Sequence, residues 1–470
     1  MAARIEGGPE VLPLERIEAY LVQHRERHLN ELKDFLRIPS ISTLPHHGAD
    51  VRRAAEWVAE QLRRIGISDV EVVLTEGHPV VIGEHIEDPA LPTALVYGHY
   101  DVQPIDPEHL WETPPFEPTV RGDRLYARGA SDDKGQVFAH IKAIEALMQV
   151  EGRLPVNVRF LIEGEEEVGS GNLPAVLAAH PELRPDIVVI SDTHMPGPDL
   201  PAICCGLRGI AVLELTVTGA QTDLHSGLYG GTVPNPLHVA ARLIAGLHDE
   251  SGRVAVPGFY DRVRELSSEE REQLASVPFD EAAYKASLGL RELAGEPGYT
   301  PPERVGIRPS IDVNGMWGGF QGEGTKTVIP KEAHAKISCR LVPDQDPDEV
   351  LDLLERHLRR HCPPSVTLTV KRGHGGAPWV CEPSHPAIQA GLEALAQAFG
   401  TRAHLVRVGG SIPIVELFSR QWSVPIVLMG FGLPDDGVHA PNESFHLEQF
   451  DKCLRALCRY WKILGERLAE

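Results

Sequence analysis

Four short apolar runs in this chain each lead into histidine or acidic side chains, and this placement constrains the fold more than any other feature. ALVYG (94–98) precedes His99 and Asp101, VRFLI (158–162) precedes acidic residues 163–167, IVVIS (187–191) precedes Asp192, and PIVLMGF (425–431) precedes His439 by a short loop. In an open α/β sheet, ligands bind outside the carboxyl ends of the strands. The sequence therefore predicts that four segments deliver metal-type side chains to one sheet edge.

The first 200 residues alternate between strand-like and helix-like patterns. Apolar residues recur with helical spacing over 51–65, where Gly66 follows at the usual glycine position, and again over 137–148, with a shorter helix at 173–177. Short apolar runs of strand length occupy 70–74, 94–97, 156–162 and 187–190. This alternation predicts an α/β domain with a largely parallel central sheet flanked by helices.

A different pattern begins after Gly209. Three half-buried strands are predicted at 211–217, 333–341 and 366–370, with helices at 236–247 and after the Asp346 cap. This order is compatible with a small α+β sheet covered by two helices. Residues 250–309 are rich in charge, Pro and Gly, with a helix signal only at 267–274, and are interpreted as an insertion or lid-like excursion.

The α/β pattern returns near Pro386, with predicted helices at 388–399 and 450–464 around the strand at 425–431. We therefore expect one domain to be inserted into another. The expected boundaries are 1–207 for the first part of the outer domain, 208–376 for the inserted domain and 377–470 for the second part.

Composition excludes several classes of partner and location. The formal net charge is −22, which disfavours binding to nucleic acid or anionic membranes. No run approaches the roughly 18 apolar residues of a membrane span, and the N-terminus has no apolar core of the secretory type. The seven cysteines are odd in number and contain no C-x-x-C pair, which favours a reducing compartment. We expect a cytoplasmic protein.

The chemistry of these side chains fits a hydrolytic pair of metal ions. Such a pair needs imidazole and carboxylate ligands, one carboxylate shared between ions about 3.5–4 Å apart, and a base for the water between them. Asp132 and Asp133 in RGASDDKG precede a predicted helix, so either could be the shared ligand.

Each residue taken alone has a simpler interpretation. A single histidine after a strand is more often a hydrogen-bonded loop residue, although Asp101 two positions after His99 could orient its ring. The acidic run at 163–167 could be a solvated surface, and Asp132, Asp133 and Asp192 could cap helices or sit in turns. Chance does not readily explain all of them at strand ends.

Together these residues resemble the co-catalytic zinc peptidase family that includes aminoacylases, carboxypeptidase G, deacetylases and cytosolic nonspecific, carnosinase-like dipeptidases. The matching strings run in family order from about Tyr97 to Glu443: GHYDVQP, RGASDDKG, EGEEEVGS, SDT, DLHSGLYGG, KTVIP, RLVP, GGSIP and HAPNE. DLHSGLYGG, KTVIP and GGSIP, with the long insertion, are most similar to the dipeptidase branch.

The resemblance implies two divalent ions per subunit, zinc or manganese. One ion would be held by His99 and Asp192, the other by Glu167 and His439, and Asp132 would bridge both. Asp101 would orient His99, and Glu166 would be the general base that takes a proton from water and returns it to the leaving amine.

The resemblance also implies that the inserted domain is a lid and dimerisation domain that recognises substrate. His225 would stabilise the oxyanion and, in a homodimer, reach the partner subunit's site; a buried core histidine is the alternative. Arg340 would bind a substrate carboxylate through its planar fork, although by itself it is an ordinary strand-end arginine. Further substrate contacts are expected from Thr327, His374, Gly410 and Ser411.

These features predict a dinuclear metallopeptidase that hydrolyses dipeptides or short peptides. An N-acyl-amino-acid deacylase with the same metal centre is the alternative, and a non-catalytic binding protein with a degraded peptidase fold is disfavoured because every ligand and base position has a competent residue. The Gly-rich stretches match neither a P-loop nor a dinucleotide fingerprint, and a G-x-S-x-G elbow is absent.

Overall fold

A computed structural model describes residues 13–469. The expectation of no secretory segment falls partly on residues 1–12, which lie outside the described ones. The helices α1 to α13 are Pro13–Leu36, Gly48–Arg64, Lys134–Glu151, Leu173–Ala179, Ser226–Tyr229, Pro236–Ala245, Ser268–Ala275, Glu281–Ser287, Pro301–Ile307, Pro347–His361, Pro386–Phe399, Pro413–Trp422 and Leu447–Ala469. The strands β1 to β18 are Asp69–Val73, Val80–His85, Thr93–His99, Thr119–Arg121, Arg124–Tyr126, Asn157–Glu163, Ile187–Ile190, Ala202–Leu207, Gly209–Thr218, Leu224–His225, Ser310–Gly318, Val328–Ile329, Glu332–Leu341, Thr367–Gly376, Trp379–Val380, His404–Val408, Ile426–Leu428 and Ser444–His446.

The chain forms two compact units. The first contains the residues up to Cys205, Cys381–Leu405 and those from Leu417 onward, and the second contains Gly206–Val380 and Val406–Glu416. Among the described residues, no helix combines the length and the apolar character needed to cross a membrane.

The first unit is built on a mixed sheet with the strand order β1-β2-β6-β3-β7-β17-β8. Its four central strands, β6, β3, β7 and β17, are mutually parallel, whereas β1, β2 and β8 pair antiparallel with their neighbours. The predicted α/β class with a largely parallel central sheet is confirmed. Because the central strands run in one direction, their carboxyl ends meet at one edge.

The predicted helices of the first unit correspond to α2, α3, α4, α11 and α13, whereas α1 was not predicted and α3 differs in its burial. Helix α2 buries its apolar face, and Gly66 after its end has a φ of +95°, a backbone conformation that favours glycine. Helix α3 is buried on all sides from Lys134 through Leu147 rather than on one face. It contacts α1, α13 and β3, so its polar side chains are enclosed as well.

The second unit contains a four-stranded antiparallel sheet with the order β11-β13-β9-β14. Alternate residues of β9 and β13 are buried and form a core with α6 and α10. The prediction of three strands was wrong because it missed β11. That strand has a single buried residue, Ile311, and a register shift between Val313 and Gly315, so its sequence lacks the alternation that marks a half-buried strand.

The segment 250–309 carries three short helices. The predicted helix at 267–274 is α7, which begins with a capping box between Ser267 and Glu270. Helix α9 begins with a second box between Thr300 and Glu303, and α8 has an Asp280 cap. Helices α7 and α8 have no buried residues, so capping rather than an apolar stripe defines them.

Candidate metal centre

His99 is the last residue of β3, and its side chain is fully buried. Its Nε2 atom lies 3.1 Å from Asp132 Oδ1 and 4.0 Å from Asp192 Oδ2. Asp192 follows the end of the neighbouring parallel strand β7, and Asp132 lies two residues before α3. The sheet edge therefore brings three potential ligands to one point.

A second group of ligands shares Asp132 with the first. His439 Nε2 lies 2.9 Å from Asp132 Oδ2 and 3.3 Å from Glu167 Oε2. Glu167 sits in a short 3₁₀ turn just beyond the end of β6, the other parallel neighbour of β3. Asp132 thus directs one carboxylate oxygen toward each histidine, which is the placement required of a shared ligand.

These donor sets fit two divalent ions. His99, Asp132 and Asp192 form one group, and Asp132, Glu167 and His439 form the other, with the ligand atoms of each within 4.8 Å of one another. Two atoms that bind one zinc ion at about 2.0–2.1 Å with tetrahedral angles lie roughly 3.4 Å apart, close to the observed spacings. Nitrogen and carboxylate oxygen donors are also the types that zinc and related ions accept.

Buried carboxylates are concentrated in the cluster, and two of them have raised pKa values. Burial, reinforced by the charge of Asp132, raises the pKa of Asp192 to about 7. Burial also raises the pKa of Glu166 well above its ordinary value. A cation at this point would offset the repulsion among the carboxylates and restore their charged forms.

The pKa values of the two histidines are also raised. Burial works to lower the pKa of His99, but hydrogen bonds to Asp101 and Asp132 outweigh it and hold that pKa well above its usual value. Hydrogen bonds to Asp132 and Glu167 raise the pKa of His439 to about 10. The same contacts, opposed by burial, lower the pKa of Asp132. The two histidines and the carboxylates around them thus stabilise each other's charged forms.

Asp101 connects the two halves of the cluster. Its backbone carbonyl lies 3.1 Å, and its Oδ1 3.3 Å, from His99 Nδ1, so it holds the ring with Nε2 toward the ligands. Its two carboxylate oxygens also accept backbone N–H groups from Glu166 at 3.3 Å and Glu167 at 3.2 Å. The prediction gave Asp101 contact with His99 alone, whereas the structure shows that it also fixes the turn that carries both glutamates.

Two further residues, Gln103 and Glu443, hold ligands in place, although neither was predicted to have a role. Gln103 donates from Nε2 to Glu167 Oε2 at 2.8 Å, and Glu443 accepts hydrogen bonds from the backbone before α3. Gln103 lies in the motif GHYDVQP and Glu443 in HAPNE, and membership of these family motifs is the sequence feature that could have indicated their importance. The capping alternative for Asp133 does not hold, because its side chain makes no cap hydrogen bond and its Oδ2 instead accepts from His99 N at 3.3 Å.

The residues expected to bind substrate lie in the second unit. His225 is exposed, which excludes a buried core histidine, and its Nδ1 accepts from Gly227 N at 3.0 Å. Thr327 is also exposed and lies close in the backbone, since its carbonyl accepts from Ser226 N at 3.1 Å. These two residues therefore belong to one surface of the unit.

A second pair of expected substrate residues is in direct contact. Arg340, at the end of β13, donates from Nη1 to Ser411 Oγ at 3.1 Å, and Ser411 donates to the carbonyl of Arg208 at 2.5 Å. Gly410 is exposed beside Ser411, and His374 is exposed in the irregular part of β14.

Comparisons with known proteins find named peptidases that match nearly the whole chain. Over 466 residues the chain is 31% identical to the Cys-Gly metallodipeptidase dug1 of Schizosaccharomyces pombe, covering 96% of this chain and 98% of that protein. Human carnosine dipeptidase 1 matches in structure with a TM-score of 0.82 and 31% identity, covering 97% of this chain and 100% of the other. The metallo-carboxypeptidase Sso-CP2 from Sulfolobus solfataricus matches with a TM-score of 0.82 and 34% identity, covering 93% and 99%.

The family model described as peptidase family M20/M25/M40 matches residues 95–463, which include every residue of the metal cluster. The family resemblance read from the motifs is confirmed, and the named relatives are consistent with the dipeptidase branch. The chain belongs to peptidase family M20/M25/M40.

Proposed function

We propose that this protein hydrolyses the peptide bond of dipeptides in a metal-dependent reaction. The position of Asp132 carries the proposal. Its Oδ1 lies 3.1 Å from His99 Nε2 and its Oδ2 lies 2.9 Å from His439 Nε2, which supports two adjacent ion sites. Relatives named as a metallodipeptidase and a carnosine dipeptidase, each covering nearly the whole chain, support a dipeptide as substrate.

Bound divalent ions would supply Lewis acidity, which polarises the scissile carbonyl and lowers the pKa of water, so that water can lose a proton and attack near neutral pH. Glu166 acts as the general base: its carboxylate takes a proton from the attacking water and returns it to the leaving amine. Asp101 keeps Glu166 in place through the backbone N–H at 3.3 Å.

The predicted inserted domain, 208–376, lies within the second unit and acts as the lid and dimerisation domain, and the second unit as a whole supplies substrate recognition. Arg340 binds the substrate carboxylate in a bidentate manner, supported by Ser411 and flanked by Gly410. His225 donates to the developing oxyanion, and Thr327 and His374 complete the contacts. The exposure of His225, Thr327 and His374 leaves their polar groups accessible to a ligand.

We further propose zinc or manganese as the ions, a homodimer as the assembly and the cytoplasm as the location. Zinc and manganese both accept the nitrogen and carboxylate donors present here. Cys339, Cys453 and Cys458 are buried and form no disulfide, which suits a reducing compartment.

A substrate panel tests the reaction. We expect purified protein supplied with zinc or manganese to cleave unmodified dipeptides with a kcat/KM at least tenfold above that for matched N-acetyl amino acids. Dipeptides with an amidated C-terminus should be poor substrates, because Arg340 would lose its carboxylate partner. Preference for the acetylated set would instead identify a deacylase with the same metal centre.

Replacement of the base tests the mechanism. We expect Glu166→Gln to lower kcat by at least 10²-fold, because general base catalysis typically contributes about 10²–10⁴. The variant should still bind two ions, since Glu166 belongs to neither ligand group. Glu76→Gln, on an exposed loop, is a matched control. Wild-type turnover in Glu166→Gln with full metal content would rule out this role.

A further inference from the structure

Glu443 is a fully buried acid just before β18 that has no role in the chemistry described above. Its carboxylate makes four hydrogen bonds to the segment that leads to α3. Oε1 accepts from Ser131 N at 3.0 Å and Asp132 N at 3.1 Å, and Oε2 accepts from Gly129 N and Arg128 Nη1 at 2.9 Å each. One side chain thus fixes the backbone of the shared ligand Asp132.

The same residue anchors the end of the loop that carries His439. The carbonyl of Glu443 accepts from Ala127 N at 3.1 Å, so both its backbone and its side chain bind the 127–132 segment. Asp436, at the start of the loop, is hydrogen-bonded to that segment too, since Ser131 Oγ donates to its Oδ2 at 2.8 Å. The loop between Asp436 and Glu443 is therefore held at both ends to the residues beside Asp132.

The loop needs such restraint because its backbone is unusual. His439 and Asn442 have φ values of +61° and +62°, in the left-handed region that residues other than glycine seldom adopt. Such conformations persist only where the surrounding structure enforces them. Glu443 directly follows Asn442, and its buried contacts are part of that enforcement.

The two ion sites depend on these contacts to different extents. In the site of His99, Asp132 and Asp192, only Asp132 lies on a segment that Glu443 holds; His99 ends a buried strand and is oriented by Asp101. In the site of Asp132, Glu167 and His439, two of the three ligands lie on segments that Glu443 holds. Loss of Glu443 should therefore affect the second site more strongly.

We propose that Glu443 is a positioning residue that sets Asp132 against His439 and thereby gives the Asp132–Glu167–His439 site its affinity for a divalent ion. The proposal rests on the two-ion centre of the proposed function. This positioning role differs from a purely structural one because loss of Glu443 should weaken one of the two neighbouring ion sites and not the other. Neighbouring groups that orient metal ligands typically change metal affinity or activity by about 10–100-fold.

Glu443→Gln tests the proposal, because the amide retains the shape and one acceptor oxygen but turns an NH₂ toward N–H donors. The probe is zinc, titrated into metal-free protein in a zinc-buffered solution, with the two binding steps resolved by calorimetry and the bound metal measured by elemental analysis. We expect one step to lose about 10–100-fold in affinity while the other changes by less than threefold, and the affected step should be the one that His439→Ala, which removes a ligand of the second site alone, also weakens. Dipeptide hydrolysis should recover as free zinc is raised.

Glu145→Gln is the matched control. Glu145 is also a buried acid of the first unit, paired with Lys142 at 2.8 Å and with Arg27, but it contacts no segment that carries a ligand. We expect it to lower the melting temperature with both zinc steps intact. If Glu443→Gln does not fold, Glu443→Asp keeps the charge, cannot reach all four donors and should show a smaller loss at the same step.

Equal weakening of both steps, or two unchanged steps in folded protein, would overturn the proposal. Failure of the proposed function has a different signature, because the wild-type protein would then bind fewer than two zinc ions or leave dipeptides intact. The binding measurements on Glu443→Gln are made relative to wild type, so the two failures remain separate.

Discussion

At the scale of single residues, the metal-type side chains could be predicted because they follow apolar runs, and parallel strands place such residues at one edge. His99, Asp192 and Glu167 all meet this rule in β3, β7 and the turn after β6. Glu443 and Gln103 do not meet it. Their function lies in hydrogen bonds to segments far away in sequence, such as Gly129 for Glu443, and no local pattern encodes those partners.

Asp101 gives a prediction at this scale. Asp101→Asn keeps the size of the side chain but replaces an acceptor oxygen that faces the N–H of Glu166 or Glu167 with a donor. We expect kcat/KM for a dipeptide to fall about 10–100-fold, as for other residues that orient metal ligands. Asp106→Asn, on an exposed loop nearby, is the control. Equal activity of both variants would contradict the role given to Asp101.

At the scale of elements, the periodicity of apolar residues predicts whether an element is a helix or a strand better than it predicts how deeply that element is buried. Helix α3 was predicted from apolar residues at 137, 141, 144 and 148, yet Lys134, His140 and Lys142 are buried too. The spacing of apolar residues shows which face is buried first but not whether other helices cover the opposite face. Strand β11 illustrates the reverse case, because an edge strand with little burial leaves no periodic signal.

The enclosure of α3 predicts a pH dependence of stability. His140 is fully buried and its Nε2 donates to Ser191 Oγ at 2.7 Å, since that hydroxyl itself donates to Met429 O. Burial lowers the pKa of His140 to about 3, whereas an unfolded histidine titrates near 6.5. Between these values the unfolded state binds the extra proton, so the stability contributed by neutral His140 is complete above about pH 6.5 and is lost as the pH falls toward 3.

His140→Gln tests this dependence, because glutamine retains a donor but does not titrate. We expect the free energy of unfolding of the wild type to fall more steeply below pH 6.5 than that of the variant, by up to about 1.4 kcal/mol per pH unit. The measurement is urea unfolding at several pH values, with exposed His109→Gln as the control. Comparison between variants cancels the acid titration of other groups. Parallel curves for wild type and His140→Gln would contradict the prediction.

At the scale of the whole molecule, the residues proposed for one reaction are divided between two compact units. The ion ligands and Glu166 lie in the first unit, whereas His225, Thr327 and Arg340 lie in the second. Sequence order could predict this division, since the metal-type residues flank the inserted pattern on both sides. It could not predict that the 406–416 segment, with Gly410 and Ser411, would group with the inserted unit. That grouping depends on contacts such as Arg340 with Ser411.

The proposed homodimer leads to a prediction about shared sites. Glu166→Ala removes the base of the first unit and His225→Ala removes the oxyanion donor of the second, so each homodimer should be nearly inactive. If His225 acts on the partner subunit's site, a mixed dimer has one site with both defects and one with neither. Random exchange of equal amounts then makes half of the dimers mixed, and we expect about a quarter of the wild-type activity per subunit to return.

The exchange is measured with two affinity tags, so that mixed dimers are isolated before the dipeptide assay, where about half of the wild-type activity per subunit is expected. If His225 served its own subunit, every site in the mixed dimer would keep one defect and no activity would return. A wild-type chain mixed with the double variant Glu166→Ala/His225→Ala separates the cases further. Action on the partner's site leaves each site of that dimer with one defect, whereas action within the subunit leaves one site intact. The two mixtures should therefore give opposite results, and the same result in both would contradict action on the partner's site.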